Sequence, residues 1–238
     1  MVTGGNRGVG LAVVHELLAR GAAKVYAGAR DPDDADVPGA EVIRLDITDP
    51  AQVAAAAERC ADVTVLVNNA GYHANTRLVL TDHPDAARDE MEVNYFGTLA
   101  MTRAFAPVLG ANGGGAIVNV LSVAAVVPAA FMGGYSTSKA ATWFLSAVTR
   151  AELAKQGTQV TSWVLGSVDT RMAAHVEGKK EDPRDIARVG LDGLEAGLLT
   201  VATDKMAIDS MAAHKADPEG FEQLLGRLLH VTNLRAPR

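Results

Sequence analysis

Tyr135 and Lys139 stand four residues apart in Gly134-Tyr135-Ser136-Thr137-Ser138-Lys139. On a helix they would share one face, about one turn apart. A free phenol titrates near about 10 and is a poor base at neutral pH. A cation beside it stabilises the phenolate and lowers that value. The phenol can then exchange a proton with a substrate oxygen. Ser122, at the end of an apolar run, adds a hydroxyl to the same stretch. Taken alone the pair is weak evidence, because tyrosine and lysine meet this way by chance on many helix surfaces.

The elements around that stretch decide between the two readings. Val2-Thr3 leads into Gly4-Gly5-Asn6-Arg7-Gly8-Val9-Gly10, followed by Leu11, Val14, Leu17 and Leu18 at helical spacing. This reads as strand, glycine turn and helix. Glycines permit the sharp turn and let backbone N–H groups approach a phosphate, and the helix N-terminus adds partial positive charge. An ordinary glycine-rich loop is the other reading. A second strand, Lys24 to Ala29, ends at Arg30. A dinucleotide fold places its ribose-reading group about twenty residues after the glycines. A guanidinium at that point suits a 2′-phosphate, which favours NADP(H) over NAD(H). Arg7 is a candidate second charge, and both arginines can also be read as solvated surface. Asp31, Asp33, Asp34 and Asp36 read as a solvated acidic loop.

Val42 to Asp46 reads as a third strand, with Ile47 following. Thr48-Asp49-Pro50 opens a helix through Arg59. The apolar run Val63 to Val67 suits a strand covered on both faces and ends in Asn68-Asn69-Ala70-Gly71. A helix is expected from about Asp82 to Leu109 with Asn94 inside it, where asparagine is mildly unfavourable. Strands follow at Ile117–Ser122 and Val160–Leu165, separated by a helix from Thr137 to about Lys155. A polar loop, 171 to 183, is expected to lie beside the site. A helix from Pro183, a last strand at Leu198–Ala202 and a helical tail from Met206 to Leu229 complete the reading. Strands alternating with helices predict an α/β, single-domain, Rossmann-type doubly wound parallel sheet with helices on both faces over residues 1–238. Residues 171–196 form its substrate-loop region. Ligands of such sheets bind beyond the carboxyl ends of the strands. The glycine turn, Arg30, Asp46, Asn69 and Ser122 all fall at such ends.

Composition narrows the classes. The 238 residues are 48% hydrophobic and 21% charged, enough for a sizeable core. A net charge of −6 without a basic run argues against nucleic acid as partner. Cys60 is the only cysteine. Internal disulfides and two-cysteine metal sites are therefore excluded, no metal is expected, and a reducing, cytoplasmic setting fits. The start lacks signal-peptide regions, and the most apolar run is interrupted by Asn119, Ser122 and Pro128, so no membrane span is expected.

Together these residues resemble the short-chain dehydrogenase/reductase family, in its common branch of roughly 250 residues. Thr3-Gly4-x-x-x-Gly8-x-Gly10 is similar to its cofactor motif and Asn68-Asn69-Ala70-Gly71 to its fourth-strand motif. Asn94, Ser122, Tyr135 and Lys139 fall in the order and spacing of its catalytic tetrad. The resemblance implies an oxidoreductase that moves a hydride between NADP(H) and a ketone or aldehyde and its alcohol. Tyr135 would be the general acid or base. Lys139 would lower the Tyr135 pKa and hold the nicotinamide ribose. Ser122 would steady the substrate oxygen, and Asn94 would keep a water beside Lys139. Gly4, Gly5, Asn6, Arg7 and Val9 would wrap the pyrophosphate, and Arg30 would take the 2′-phosphate. Asp46 and Ile47 would meet adenine, Asn69 the adenosine ribose region and Val168 the nicotinamide amide. A homodimer or homotetramer is implied, in keeping with the apolar surface of the Tyr135 helix. His73, Phe131, Met132 and Met172 are expected to border the substrate pocket, whereas His175 reads as a solvated loop residue.

Two departures from the family pattern carry expectations. Only Met1 and Val2 precede Thr3, so a short central strand is expected. Leu165-Gly166 replaces the usual Pro-Gly, so the loop touching nicotinamide is expected to be less rigid. An epimerase- or dehydratase-type relative that recycles its cofactor, and a non-catalytic NADP(H)-binding regulator, are the alternatives.

Overall fold

The computed structural model describes residues 1–32 and 35–229. The acidic-loop reading at Asp33 and Asp34 lies outside the described residues. Seven strands, β1 (Val2–Thr3), β2 (Tyr26–Ala29), β3 (Glu41–Arg44), β4 (Val65–Asn68), β5 (Ala116–Ser122), β6 (Gln159–Leu165) and β7 (Thr200–Ala202), form one sheet in the order β3-β2-β1-β4-β5-β6-β7. Every pairing is parallel. The chain runs outward from β1 to β3 and then returns to β4. The order therefore reverses between β1 and β4, where such sheets open a crevice for ligands.

The helices that connect the strands are α1 (Gly8–Ala19), α2 (Pro50–Arg59), α3 (Ala86–Met91), α4 (Thr98–Ala111), α5 (Gly133–Glu152), α6 (Pro183–Glu195), α7 (Lys205–Ala216) and α8 (Pro218–Leu228). Four of them start on an aspartate that accepts backbone N–H groups: Asp49 from Ala51 and Gln52, Asp182 from Arg184, Asp204 from Ala207 and Asp217 from Gly220. Proline follows three of these caps, where its missing N–H does no harm. The single helical tail expected from Met206 to Leu229 is two helices, because Asp217-Pro218 ends one and starts the next.

Alternate residues along the strands feed two cores on opposite faces. Val118, Val120 and Trp163 pack with α1 and α6, and Ile117, Leu66 and Val160 pack with α2 and α4. Arg20 at the end of α1 reaches Glu16, Asp192 and Glu195, tying α1 to α6 at the surface. β1 is two residues long, and Met1 extends its ladder by donating its amine to the Val65 carbonyl at 2.8 Å and accepting from the Val67 N–H at 2.8 Å. No helix among the described residues is long and apolar enough to cross a membrane.

The expected helix 82–109 is corrected by the structure. It begins at Ala86, and its hydrogen bonding widens to a π-helical turn at Glu92–Gly97 before α4 continues. Asn94 sits inside that turn and is fully buried. Such turns concentrate at functional sites. The Tyr135 helix also starts earlier than expected, at Gly133, so Tyr135 lies in its first turn.

α6 crosses the sheet closely enough that a Cβ on Gly190 would lie 2.6 Å from the Trp163 ring. Gly190→Ala should lower unfolding stability by about 1–3 kcal/mol, read from urea denaturation. An unchanged midpoint would show that the helix has room to shift.

Candidate active site

The glycine turn is held over the sheet by the end of β4. The Thr3 hydroxyl accepts the N–H groups of Asn69 and Ala70, each at 3.0 Å. The Asn69 amide donates to the carbonyls of Thr3 at 2.9 Å and Gly4 at 3.2 Å. A Cβ on Gly10 would lie 2.2 Å from the Gly4 carbonyl oxygen. Gly4 and Gly8 take positive φ values of 62° and 54°. Only glycine makes this turn at this proximity. The N–H groups of Gly8, Val9 and Gly10 open α1 without internal partners, a cradle suited to a pyrophosphate. The Gly5 N–H donates to Gly28 of β2 at 3.0 Å, which brings the turn to the strand that ends before Arg30.

Arg7 and Arg30 are both exposed. Arg44, which the sequence reading did not single out, donates to the Arg30 carbonyl at 3.0 Å. Its signal is the parallel register that sets Ala29 beside Arg44. Asp46 accepts from both the N–H and the hydroxyl of Thr48, at 2.9 and 2.7 Å. Ile47 is buried where Gly97 of the π-helical turn approaches it. Val168 is buried and pairs with Glu181. The Asp169 N–H donates to Glu181 and the Glu181 N–H to Ser167, each at 2.9 Å, so loop 171–183 is clamped at its base. A Cβ on Gly8 would come within 3.2 Å of Thr170, placing that loop beside the glycine turn.

The four tetrad candidates converge on the other side of Asn69. Tyr135 is 7% exposed, and the Ser122 hydroxyl lies close enough to its phenol to favour the phenolate. Ser122 also accepts the Ala124 N–H at 3.2 Å. Lys139 is buried, its ammonium donating to the Val120 carbonyl at 3.0 Å and lying 5.7 Å from the Tyr135 ring centroid. Asn94 accepts the Tyr72 N–H at 2.8 Å and donates to the Tyr72 carbonyl and the Ser138 hydroxyl, both at 2.9 Å. A Cβ on Gly71 would lie 3.1 Å from the Asn94 side-chain oxygen and 3.5 Å from the Lys139 ammonium. Gly71 therefore keeps open a small space that both groups border.

The His73 ring rests 4.8 Å from that of Tyr135, and Phe131 and Met132 pack against the same cluster. His175, read as a solvated loop residue, is exposed but brings its ring to 5.8 Å from His73. Missed altogether were Ser138, which fixes Asn94, and Glu90, which is 1% exposed. Both occupy core-facing helix positions that composition alone does not mark as polar sites.

The short chain dehydrogenase family model matches residues 1–181. The chain belongs to that family of oxidoreductases. It is 43% identical to a short chain dehydrogenase from Burkholderia cenocepacia solved in complex with NADP, over 94% of this chain and 95% of that one, with a TM-score of 0.91. It is 30% identical over its full length to 17-beta-hydroxysteroid dehydrogenase type 2 of Homo sapiens, covering 64% of that protein. It is 36% identical over 56% of its length to the NADPH-dependent 1-acyldihydroxyacetone phosphate reductase of Schizosaccharomyces pombe, covering 46% of it. The chain thus spans less than two thirds of the length of these two curated relatives.

Burial controls the ionisation of this short-chain dehydrogenase site. It pushes Tyr135 up to about 12, with the nearby Ser122 hydroxyl pulling the other way and the Glu90 charge adding to the rise. Lys139, expected to lower the phenol, is not among the causes of that shift. The ammonium is directed at a backbone carbonyl rather than at the phenol, and desolvation pushes Lys139 itself down to about 8. Desolvation first, and then His175, brings His73 down to about 4.

The Lys139 shift has a stability consequence. A lysine titrating near 8 when folded and near 10.5 when unfolded binds fewer protons in the native state between those values, so its contribution to stability rises with pH across that window. Lys139→Met should remain folded and should exceed the unmodified chain in stability at pH 7 by about 3 kcal/mol or less. That advantage should shrink between pH 8 and about 10. A pH-independent difference in thermal melts would show that the ammonium is not desolvated.

Proposed function

We propose that this chain interconverts a ketone or aldehyde with its alcohol, using NADP(H) in preference to NAD(H), with Tyr135 as the general acid or base. The observation that carries the reading is the buried Tyr135 phenol beside the Ser122 hydroxyl, with Lys139 one turn further along α5, at the carboxyl end of β5. The residues around the glycine turn fit a dinucleotide. Gly4, Gly8 and Gly10 let the turn pack against Asn69, Ala70 and Thr170, where a Cβ would crowd them, and α1 presents its N-terminal amides there. When bound there, the nicotinamide supplies or accepts the hydride.

The remaining work falls to the chain's own groups. Ser122 donates to the substrate oxygen and steadies charge developing on it. Tyr135 delivers the proton to that oxygen in reduction and removes it in oxidation. Lys139 holds the nicotinamide ribose hydroxyls, and Asn94 keeps the floor of the site in register beside it. Gly5, Asn6, Arg7 and Val9 follow the pyrophosphate, Arg30 pairs with the 2′-phosphate, and Asp46 and Ile47 border the adenine. Asn69 acts through the glycine turn that it clamps, and Val168 borders the nicotinamide amide. His73, Phe131 and Met132 form one wall of the substrate space, and the region 171–196 forms the other. The exposed Phe144 and Val148 on α5 and Phe96 before α4 support a homodimer or homotetramer through that face.

Two measurements test the reading. NADPH oxidation followed across a panel of ketones and aldehydes should show turnover that Tyr135→Phe reduces by about 100-fold or more. Equal turnover in that variant removes the phenol from the chemistry. Arg30→Ala should raise the NADPH KM about tenfold while leaving that for NADH nearly unchanged. A parallel rise for both cofactors would place the 2′-phosphate elsewhere.

A further inference from the structure

Glu90 is the one acidic side chain among the described residues that is almost wholly withdrawn from solvent near Tyr135, at 1% exposure. It projects from α3 into the space between two elements of the site. One carboxyl oxygen accepts the Ala74 N–H at 2.8 Å, which fixes the segment just after His73. The other is buried without a partner. That second oxygen faces the first turn of α5, where a Cβ on Gly134 would lie only 2.5 Å from it. Gly133 makes the matching approach on the neighbouring side, with φ of 53° and a would-be Cβ 2.3 Å from the Thr76 carbonyl oxygen. The Gly133-Gly134 pair thus lets the start of α5 press onto Glu90 and onto the segment that Glu90 holds. Tyr135 is the next residue.

A buried carboxylate with one unmatched oxygen is destabilising unless its environment compensates. The environment here is sparse. Glu90 borders a cavity of about 10 Å³, lined in part by Thr76, Thr81, Arg77 and His83, with room for about one water. The charged or titratable groups that face Glu90 are Asp89 on its own helix, His83 in the preceding turn, Arg77 in the loop across the cavity and Tyr135 on α5.

We propose that Glu90 is a positioning residue for the reactive phenol: it locks the Ala74 segment against the first turn of α5, and its negative charge opposes ionisation of Tyr135. The inference rests on the reading of Tyr135 as acid and base given above. A negative charge on Glu90 favours the neutral, proton-donating form of the phenol. It therefore suits the reductive direction. The direction of the Tyr135 shift accords with this placement, with burial as the larger cause and the Glu90 charge as a further one.

The test is the pH profile of alcohol oxidation with NADP, which requires the phenol to be deprotonated. Glu90→Gln keeps an oxygen for the Ala74 N–H and removes the charge. The midpoint of the acidic limb should move to lower pH by about one unit. Glu90→Met, uncharged and of similar length, should move it the same way and should also lose melting temperature, because the Ala74 N–H is left unmatched. A shift in either folded variant supports the proposal. A midpoint that coincides with that of the unmodified chain in both overturns it, because a purely structural role would alter stability and rate without moving the titration. An unmodified chain that turns over no alcohol or carbonyl compound overturns the oxidoreductase reading and this proposal with it, whereas turnover with an unmoved midpoint overturns this proposal alone.

Discussion

The geometry of the site turns on one fully buried asparagine. Asn94 satisfies its side chain against the backbone of Tyr72 in both directions and against the Ser138 hydroxyl. Its own carbonyl, within the π-helical turn, accepts the hydroxyls of Thr98 and Thr142 at 2.8 and 2.9 Å. One residue therefore joins the segment after β4, the α3–α4 helix and α5. A buried polar group that loses a partner costs about 1–3 kcal/mol. The arrangement tolerates little slippage of any of the three elements. Because Tyr135 and Lys139 ride on α5, their placement relative to the sheet inherits that rigidity.

The same logic continues into the core. Asn68 donates to Asn119 at 2.9 Å, Asn119 to Ser146 at 2.8 Å, and Ser146 to the Thr142 carbonyl at 2.8 Å. β4, β5 and α5 are thus joined by short polar side chains rather than by bulky apolar ones. Such networks specify one packing because alternatives leave their members unmatched. They also let α5 approach β5 closely enough for Lys139 to reach the Val120 carbonyl.

Close packing has an electrostatic effect that runs through the whole site. Tyr135, Lys139, Glu90 and His73 are all shifted toward their neutral forms, and in each case burial is the largest cause. Charges at this site are little screened by solvent, so each one acts strongly on its neighbours. The segment after β4 and the clamped loop 171–183 close the site from two sides, with the His73 and His175 rings meeting between them.

The order of strands and helices and the glycine turn were legible in the sequence, because they depend on local spacing: apolar runs, proline and aspartate caps, and glycines where the chain must turn sharply. Tyr135, Lys139, Ser122 and Asn94 were marked out by the family resemblance rather than by spacing alone. Helix ends were less legible, because the start of α5 at Gly133 is set by its contact with Thr76 and not by a local cap. Tertiary structure alone decided that Asn94 sits in a π-helical turn, that Asn69 clamps the glycine turn, and that Arg44 adjoins Arg30. It alone showed that Lys139 points at a carbonyl and that Glu90 is buried against the first turn of α5. These features join residues far apart in the chain, and burial, which a linear sequence does not record, sets the charge each of them carries.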